Sequence, residues 1–311
     1  MAEAVIEVKG LAKHYPGKKA VDGVDFEVRK GQVFSLLGPN GAGKTTTVEI
    51  LEGLRTPTAG TALVLDHDVT KDYAKIRKRV GVLPQDFEPF DRLTPTEAVG
   101  YWGRLFDRSL SRTDVNRILE QVSLTDRAKV QAIKLSGGEK RKLGIAMSLV
   151  GEPELLFLDE PTTGLDPKAR RDLWGLVRRI ESEGRTVVLT THYLDEAEQL
   201  ADEVAIMHQG KIAAHGRPQE LISKRGSGTT VVLGGAGEAG LRAVQRLGLP
   251  VRQENGDVLV RVADPSQMKS VLRDLASLDL PLRDMYTRRG TLEDVFLTLV
   301  GARMEEGVLQ Q

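Results

Sequence analysis

The sequence predicts an α/β fold: a mostly parallel sheet with helices on its faces, an antiparallel side sheet, a helical subdomain, and a small ferredoxin-like α+β domain at the C-terminal end. Three observations predict it. Short apolar runs rich in β-branched residues, "VFSLLG" (33–38), "LLFLD" (155–159), "TVVLTT" (186–191) and "EVAIM" (203–207), alternate with longer helix-spaced segments, as buried parallel strands joined by helices do. Between about 87 and 135 no strong strand is visible. A Gly-, Ser- and basic-rich break at "SKRGSGTT" (223–230) then restarts the pattern on a smaller scale.

In order along the chain, "AVIEVKGLAKHY" and "VDGVDFEV" alternate apolar and polar residues around "PGKK", which suits an antiparallel hairpin or side sheet. "TPTEAVGYWGRLF" and "TDVNRILEQVSL" each begin with a capping Thr and carry helix-spaced apolar residues, so 87–150 reads as a helical insertion. The first domain is expected over 1–222, a linker over 223–228, and a second domain over 229–311. In the latter, "TTVVLG" reads as a strand, "EAGLRAVQRLG" as a helix and "PVRQE" as a strand. Asn-Gly then turns the chain into "VLVRV", since that pair suits a two-residue hairpin loop. "DPSQMKSVLRDLASL" follows as a helix, "PLRDMYTRR" as a strand and "TLEDVFLTLV" as a last helix, a ferredoxin-like order with one helix appended.

Composition excludes several classes. The 311 residues contain no cysteine, which removes disulfides, thiolate metal sites and thiol catalysis. Acidic and basic residues number 44 each, so net charge gives no support for nucleic acid as the main partner. The start carries no secretory pattern, and the apolar runs are far shorter than the roughly 20 residues a membrane span needs. A cytoplasmic location is expected, with any membrane-spanning part supplied by another chain.

Two motifs carry phosphate chemistry. "GPNGAGKT" (38–45) fits G-x-x-x-x-G-K-[ST] between a strand and a helix. Its glycines let backbone amides face an anion, Lys44 adds charge toward the β- and γ-phosphates, and the Thr45 hydroxyl suits Mg²⁺. "ELLFLDEP" (154–161) ends an apolar strand in Asp159, a candidate Mg²⁺ ligand, and Glu160, a candidate base for a water. A third stretch, "LSGGE" (135–139), sets Ser136, Gly137 and Gly138 at the start of a helix. Alone, that is a Ser N-cap with a tight entry or a second anion site.

The order of phosphate loop, "LPQD", helical insertion, "LSGGE", "LLFLDEP", "GLDP" and a strand ending in His192 resembles the nucleotide-binding subunit of ATP-binding-cassette (ABC) transporters over residues 1 to about 222. The resemblance implies a P-loop ATPase core, with ATP and Mg²⁺ as ligand and cofactor. It implies nucleotide contacts from Gly38, Asn40, Gly41, Ala42, Gly43, Lys44, Thr45 and Thr46, and Mg²⁺ contacts from Thr45, Gln85 and Asp159. Glu160, His192 and Gln85 take the catalytic positions. Tyr15 stands where the family stacks an aromatic on adenine, a tyrosine packed within its strand being the alternative. Ser136, Gly137, Gly138 and Asp166 serve a second copy bound head to tail, so that each of two ATPs lies between copies. Glu139 stands where the family often has glutamine, and "EKRK" (139–142) is otherwise expected to be a solvated helix face.

Five of the chain's fourteen aromatic residues, Phe87, Phe90, Tyr101, Trp102 and Phe106, lie between 87 and 106. They are either the core of the insertion or a cleft for a short helix of a membrane permease, and the family favours the cleft, near Gln85. The ending "TLEDVFLTLVG" and a C-terminal extension are similar to subunits of bacterial drug, antibiotic and polysaccharide exporters. The alternatives are a cassette ATPase acting on nucleic acid or ribosomes, for which coiled-coil inserts, zinc cysteines or tandem cassettes are lacking, and a binding module without turnover, which would have no use for Glu160.

Overall fold

The computed structural model describes residues 3–225, 229–262, 265–300, 304–305 and 308–309. It divides into two compact units, the first of residues 1–216 with 303–311 and the second of Arg217–Ala302.

The first unit opens with β1 (Ala4–Tyr15) and β2 (Lys18–Arg29), followed by β3 (Val33–Leu37), α1 (Lys44–Leu51), β4 (Ala59–Val64), β5 (His67–Asp68), α2 (Tyr73–Ile76) and β6 (Val80–Leu83). The insertion holds α3 (Pro95–Leu105), α4 (Arg112–Gln121) and α5 (Gly137–Leu149). Then come β7 (Leu155–Asp159), α6 (Pro167–Ser182), β8 (Thr186–Thr191), α7 (Leu194–Leu200), β9 (Glu203–His208) and β10 (Lys211–Gly216).

Two sheets result, in the orders β2-β1-β4-β5 and β10-β9-β3-β8-β7-β6. The first is antiparallel throughout, as the alternation along the opening strands requires. The second is parallel except for β10. Every residue of β3, β7 and β8 is buried, because layers of side chains cover both faces of this sheet. One layer comes from the antiparallel sheet and α1, with Ile6, Val24, Ile50 and Phe157 at its centre. The other comes from the insertion and α6, centred on Leu119, Leu143, Leu156 and Leu176.

The insertion is helical because its helices carry strong N-terminal stops. Thr94 with Glu97, Ser111 with Asp114 and Ser136 with Glu139 each form a capping box. Thr113, expected to cap α4, instead lies in its first turn; Ser111 has an acid three residues on and takes the cap.

The second unit contains α8 (Pro218–Arg225), β11 (Thr229–Gly234), α9 (Gly237–Arg246), β12 (Val251–Glu254), β13 (Asp257–Val262), α10 (Met268–Ala276), β14 (Asp284–Arg289) and α11 (Leu292–Val300). Its sheet runs β12-β13-β11-β14 with every pair antiparallel, the ferredoxin-like arrangement. Asn255 and Gly256 both take positive φ (50° and 85°) between Glu254 and Asp257, as the two-residue turn demands. Of the linker expected over 223–228, the first part completes α8, which packs against α11, and 226–228 lie outside the described residues.

Candidate nucleotide-binding site

Three parallel strand tips converge. In register, Leu37 of β3 lies beside Thr191 of β8, and Thr190 of β8 beside Asp159 of β7. The loops that follow these strands therefore meet beyond the carboxyl edge of the sheet, where open α/β sheets bind ligands.

The loop after β3 is shaped by glycines that nothing else could replace. A Cβ on Gly38 would sit 2.3 Å from the Met207 carbonyl oxygen. Gly43 has φ 106°, and a Cβ there would lie 2.2 Å from the Ala20 carbonyl oxygen. The loop ends in α1, whose first residue, Lys44, is 4 % exposed. Lys44 Nζ donates to the carbonyls of Gly38 (2.8 Å) and Pro39 (3.2 Å) and lies 3.4 Å from Glu160 Oε1. Burial pulls its pKa down, against the pull of Glu160 and Asp159. Asn40 and Gly41 are exposed at the loop tip, Ala42 is buried, and Thr45 and Thr46 are half-buried.

Asp159 ends β7 with its carboxylate accepting from the Thr190 hydroxyl and, at 3.5 Å, from the Thr45 hydroxyl. Burial holds that carboxyl above its usual range, and Glu160 adds to the shift. Glu160 turns sharply out of the strand with φ 45°, a left-handed conformation costing roughly 1–3 kcal/mol, and its N–H donates to Thr190 Oγ1 at 2.9 Å. The turn places its carboxylate among donors: Thr163 Oγ1 at 3.1 Å, Gln85 Nε2 at 3.4 Å, and His192 Nδ1 at 3.0 Å. The His192 contact is off the N–H axis, an electrostatic approach rather than an aligned hydrogen bond. Burial alone would push the Glu160 carboxyl up; His192, Lys44 and Thr163 outweigh it and bring the pKa down to about 2.

The structure thus gathers Lys44, Thr45, Gln85, Asp159, Glu160 and His192. Tyr15, half-buried at the end of β1, accepts from Arg55 at 3.2 Å with Lys13 over its ring, outside that cluster. Ser136 and Gly137 are exposed, and the Ser136 hydroxyl accepts from the Glu139 amide. Asp166 caps α6 through the amides of Lys168 and Ala169, both at 2.9 Å, which hold its carboxyl below the usual range.

Sequence reasoning missed several supports. The "EKRK" face is not merely solvated: Arg141 donates to the carbonyls of Pro84 and Gln85 (3.3 and 2.6 Å), and Lys140 pairs with Glu88. Helix α5 is thereby tied to the segment bearing Gln85, because β6 delivers that segment against it. Glu139 also pairs with Arg127 at 2.7 Å. Fully buried Glu196 on α7 accepts from Trp174 Nε1 of α6 at 3.1 Å, and burial holds its carboxyl up. The signal was a lone acid on the apolar side of "LDEAEQL". The aromatics divide: Phe87 and Trp102 pack on the core, while Phe90 and Tyr101 are exposed and meet edge to face at 6.0 Å.

Comparison with known proteins gives the same reading. The family described as ABC transporter matches residues 21–163. A daunorubicin resistance ATP-binding protein of Streptomyces coeruleorubidus is 39% identical over 97% of both chains. The daunorubicin/doxorubicin resistance ATP-binding protein of Streptomyces peucetius is 40% identical, covering 95% of this chain and 92% of that one. Nod factor export ATP-binding protein I of Ralstonia nicotianae is 38% identical over 97% of this chain and 95% of its own. Among solved structures, an ATP-binding cassette of an ABC transporter in its ADP conformation superposes with TM-score 0.63 at 26% identity, over 70% of this chain and 93% of that one. A dimeric cassette in a post-hydrolysis state with ADP and Pi shares the fold, with TM-score 0.62 at 24% identity over 68% of this chain and 98% of its own. With the motif residues gathered at one sheet edge and relatives aligned along nearly their whole length, this chain belongs to the ABC transporter family, as an ATP-binding subunit and ATPase.

Proposed function

We propose that two copies of this chain close head to tail around two ATP molecules with Mg²⁺, hydrolyse them, and so drive export through a separate membrane-spanning partner. The observation that carries this is a phosphate cradle walled on one side only. Among the described residues no hydrogen bond or ion pair joins Ser136, Gly137 or Gly138 to Gly38, Pro39 or residues 41–46. The Ser136 hydroxyl serves the Glu139 amide, which leaves the first-turn amides of Gly137 and Gly138 for an anion presented from outside. A second copy supplies that anion already seated in its own loop.

The roles are carried over from the motif positions. Backbone amides of the 38–43 loop, in which Pro39 has none, hold phosphates with Lys44 and Thr46; Tyr15 takes the adenine, His192 the γ-phosphate, and Asp166 faces the other copy. Thr45 and Asp159 offer the hard oxygen donors Mg²⁺ takes beside phosphate oxygens and water, with Gln85 close by; bound there, the ion neutralises phosphate charge. Glu160 at about 2 is a weak base while it faces Lys44 and His192. A triphosphate competes with Glu160 for Lys44, and burial then raises the Glu160 carboxyl toward a useful range. The base is armed by the nucleotide it acts on.

Among the described residues no helix is long and apolar enough to cross a membrane, so translocation falls to a partner. The relatives named for drug resistance and Nod factor export support export as the direction. The partner docks beside the segment leading to Gln85, placing the chain on the cytoplasmic membrane face, with the first unit as the working cassette and the unit that begins at Arg217, earlier than the expected 223–228 linker, as an accessory domain. Nucleic acid is not a partner.

Mixing variants tests the shared site. Ser136→Arg and Lys44→Ala chains should each lack hydrolysis, and their mixture should regain it, because one of the two composite sites is then intact. A mixture as inactive as its components refutes the head-to-tail reading.

A further inference from the structure

The turns that carry Glu160 and His192 share a buried neighbour with no part in the roles above. Glu196, in the first turn of α7, is fully buried. Its Oε1 accepts from Trp174 Nε1 of α6 at 3.1 Å, and among the described residues no cation pairs with it. The hydroxyls of Thr191 and Thr162 face the same carboxyl, Thr191 directly before His192 and Thr162 two residues after Glu160. Thr191 Oγ1 accepts from the Tyr193 N–H at 3.0 Å and so closes the turn bearing His192. Helix α6 grips that turn a second time. Arg170 pairs with Asp195 at 3.5 Å, and its guanidinium lies 4.9 Å from the centre of the Tyr193 ring, which meets the His192 ring at 4.2 Å.

For stability alone a carboxyl is a costly choice here. Burial removes its water and no opposite charge replaces it, whereas an apolar side chain would pack in the same place without that cost. What the carboxyl adds is orientation: it gives the Trp174 N–H an acceptor and meets α6, the tip of β8 and the turn after Glu160 together. We infer that Glu196 is a positioning residue for ATP hydrolysis, which through Trp174 and Thr191 fixes the turn of His192 and so holds the imidazole beside Glu160 and aimed at the γ-phosphate. An apolar side chain would leave the turn folded but free to settle elsewhere, with the Trp174 N–H unpaired. The inference rests on the reading of His192 as the γ-phosphate contact and adds the group that aims it.

Three variants of the full chain test it. Glu196→Met removes the acceptor, Glu196→Gln keeps an oxygen for Trp174, and Trp174→Phe removes the donor. Glu196→Met should lower kcat at least about tenfold while KM for ATP stays within about threefold, and Glu196→Gln should stay within about threefold of the parent in both. Trp174→Phe should also lower kcat, and the double variant should be no slower than Glu196→Met, because both changes cut one link. The chain has five histidines, so ¹³C-labelled histidine gives five ring resonances, that of His192 being identified by its loss in His192→Ala. Glu196→Met should displace the His192 resonance and leave the other four in place, and Glu196→Gln should displace none. Parent kcat in Glu196→Met, an unmoved His192 resonance, multiplied losses in the double variant, or a Glu196→Gln chain as slow as Glu196→Met overturns the assignment. So does a Glu196→Met chain in which all five resonances move or ATP no longer binds, which would make the carboxyl a support of the whole fold. A slow His192→Ala chain beside a Glu196→Met chain at the parent rate overturns this inference only. A His192→Ala chain at the parent rate overturns the reading of His192 first, and the positioning role with it.

Discussion

Replacing Glu160 by Gln separates what this side chain does for the fold from what it does for the reaction. The carboxyl has a folded pKa of about 2 against an ordinary 4.5, so its ionised form is favoured in the fold. At about 1.4 kcal/mol per pKa unit, the difference corresponds to about 3 kcal/mol. The pKa is depressed, so the contribution is complete above pH 4.5 and fades as pH falls through 2. Glu160 is 4 % exposed, so solvent screens little of it. Without nucleotide at pH 7, Glu160→Gln should therefore lose about 3 kcal/mol, lowering Tm by roughly 10 °C for a unit of this size. The gap should narrow as the pH is taken below 4.5. With ATP, Lys44 and His192 have phosphate to hold, so ATP affinity should change by only a few fold. Turnover should fall at least about a hundredfold, because a positioned base is worth 10²–10⁴. Calorimetry across pH, ATP binding and phosphate release measure these in turn. Turnover near the parent rate removes Glu160 from the base role, and an unchanged Tm at pH 7 refutes the ion network described around it.

Gly43→Ala should abolish ATP binding, because its Cβ would sit 2.2 Å from the Ala20 carbonyl oxygen at a φ of 106°; equilibrium binding of a fluorescent ATP analogue checks it. Glu52→Gln should raise the Tm of the isolated chain. The Glu52 pKa of about 8, set by burial and then by Asp159 and Glu49, lies above its ordinary 4.5, so its stabilising protonated form is lost as pH rises through 8. The gain in Tm should accordingly grow from pH 5 to pH 8.5 in thermal scans without nucleotide or Mg²⁺.

What was legible in the sequence was whatever repeats a local rule. The strands β3, β7, β8 and β9 were visible because burial on both faces makes them continuous apolar runs. The hairpin at Asn255-Gly256 was visible because its turn needs two positive φ values. β6, "VGVL", escaped notice: it is four residues long, and its glycine is present because a Cβ on Gly81 would lie 2.3 Å from the Ser148 carbonyl oxygen, a contact no local rule reports. The motif residues could be placed one by one, but the hydrogen bonds from Thr190 and Arg141 could not. They depend on which strand tips and helix ends become neighbours, and Asp159 and Thr190 are adjacent only through strand register. Glu52 was invisible for the same reason, since an acid after a helix reads as solvated until the fold closes over it.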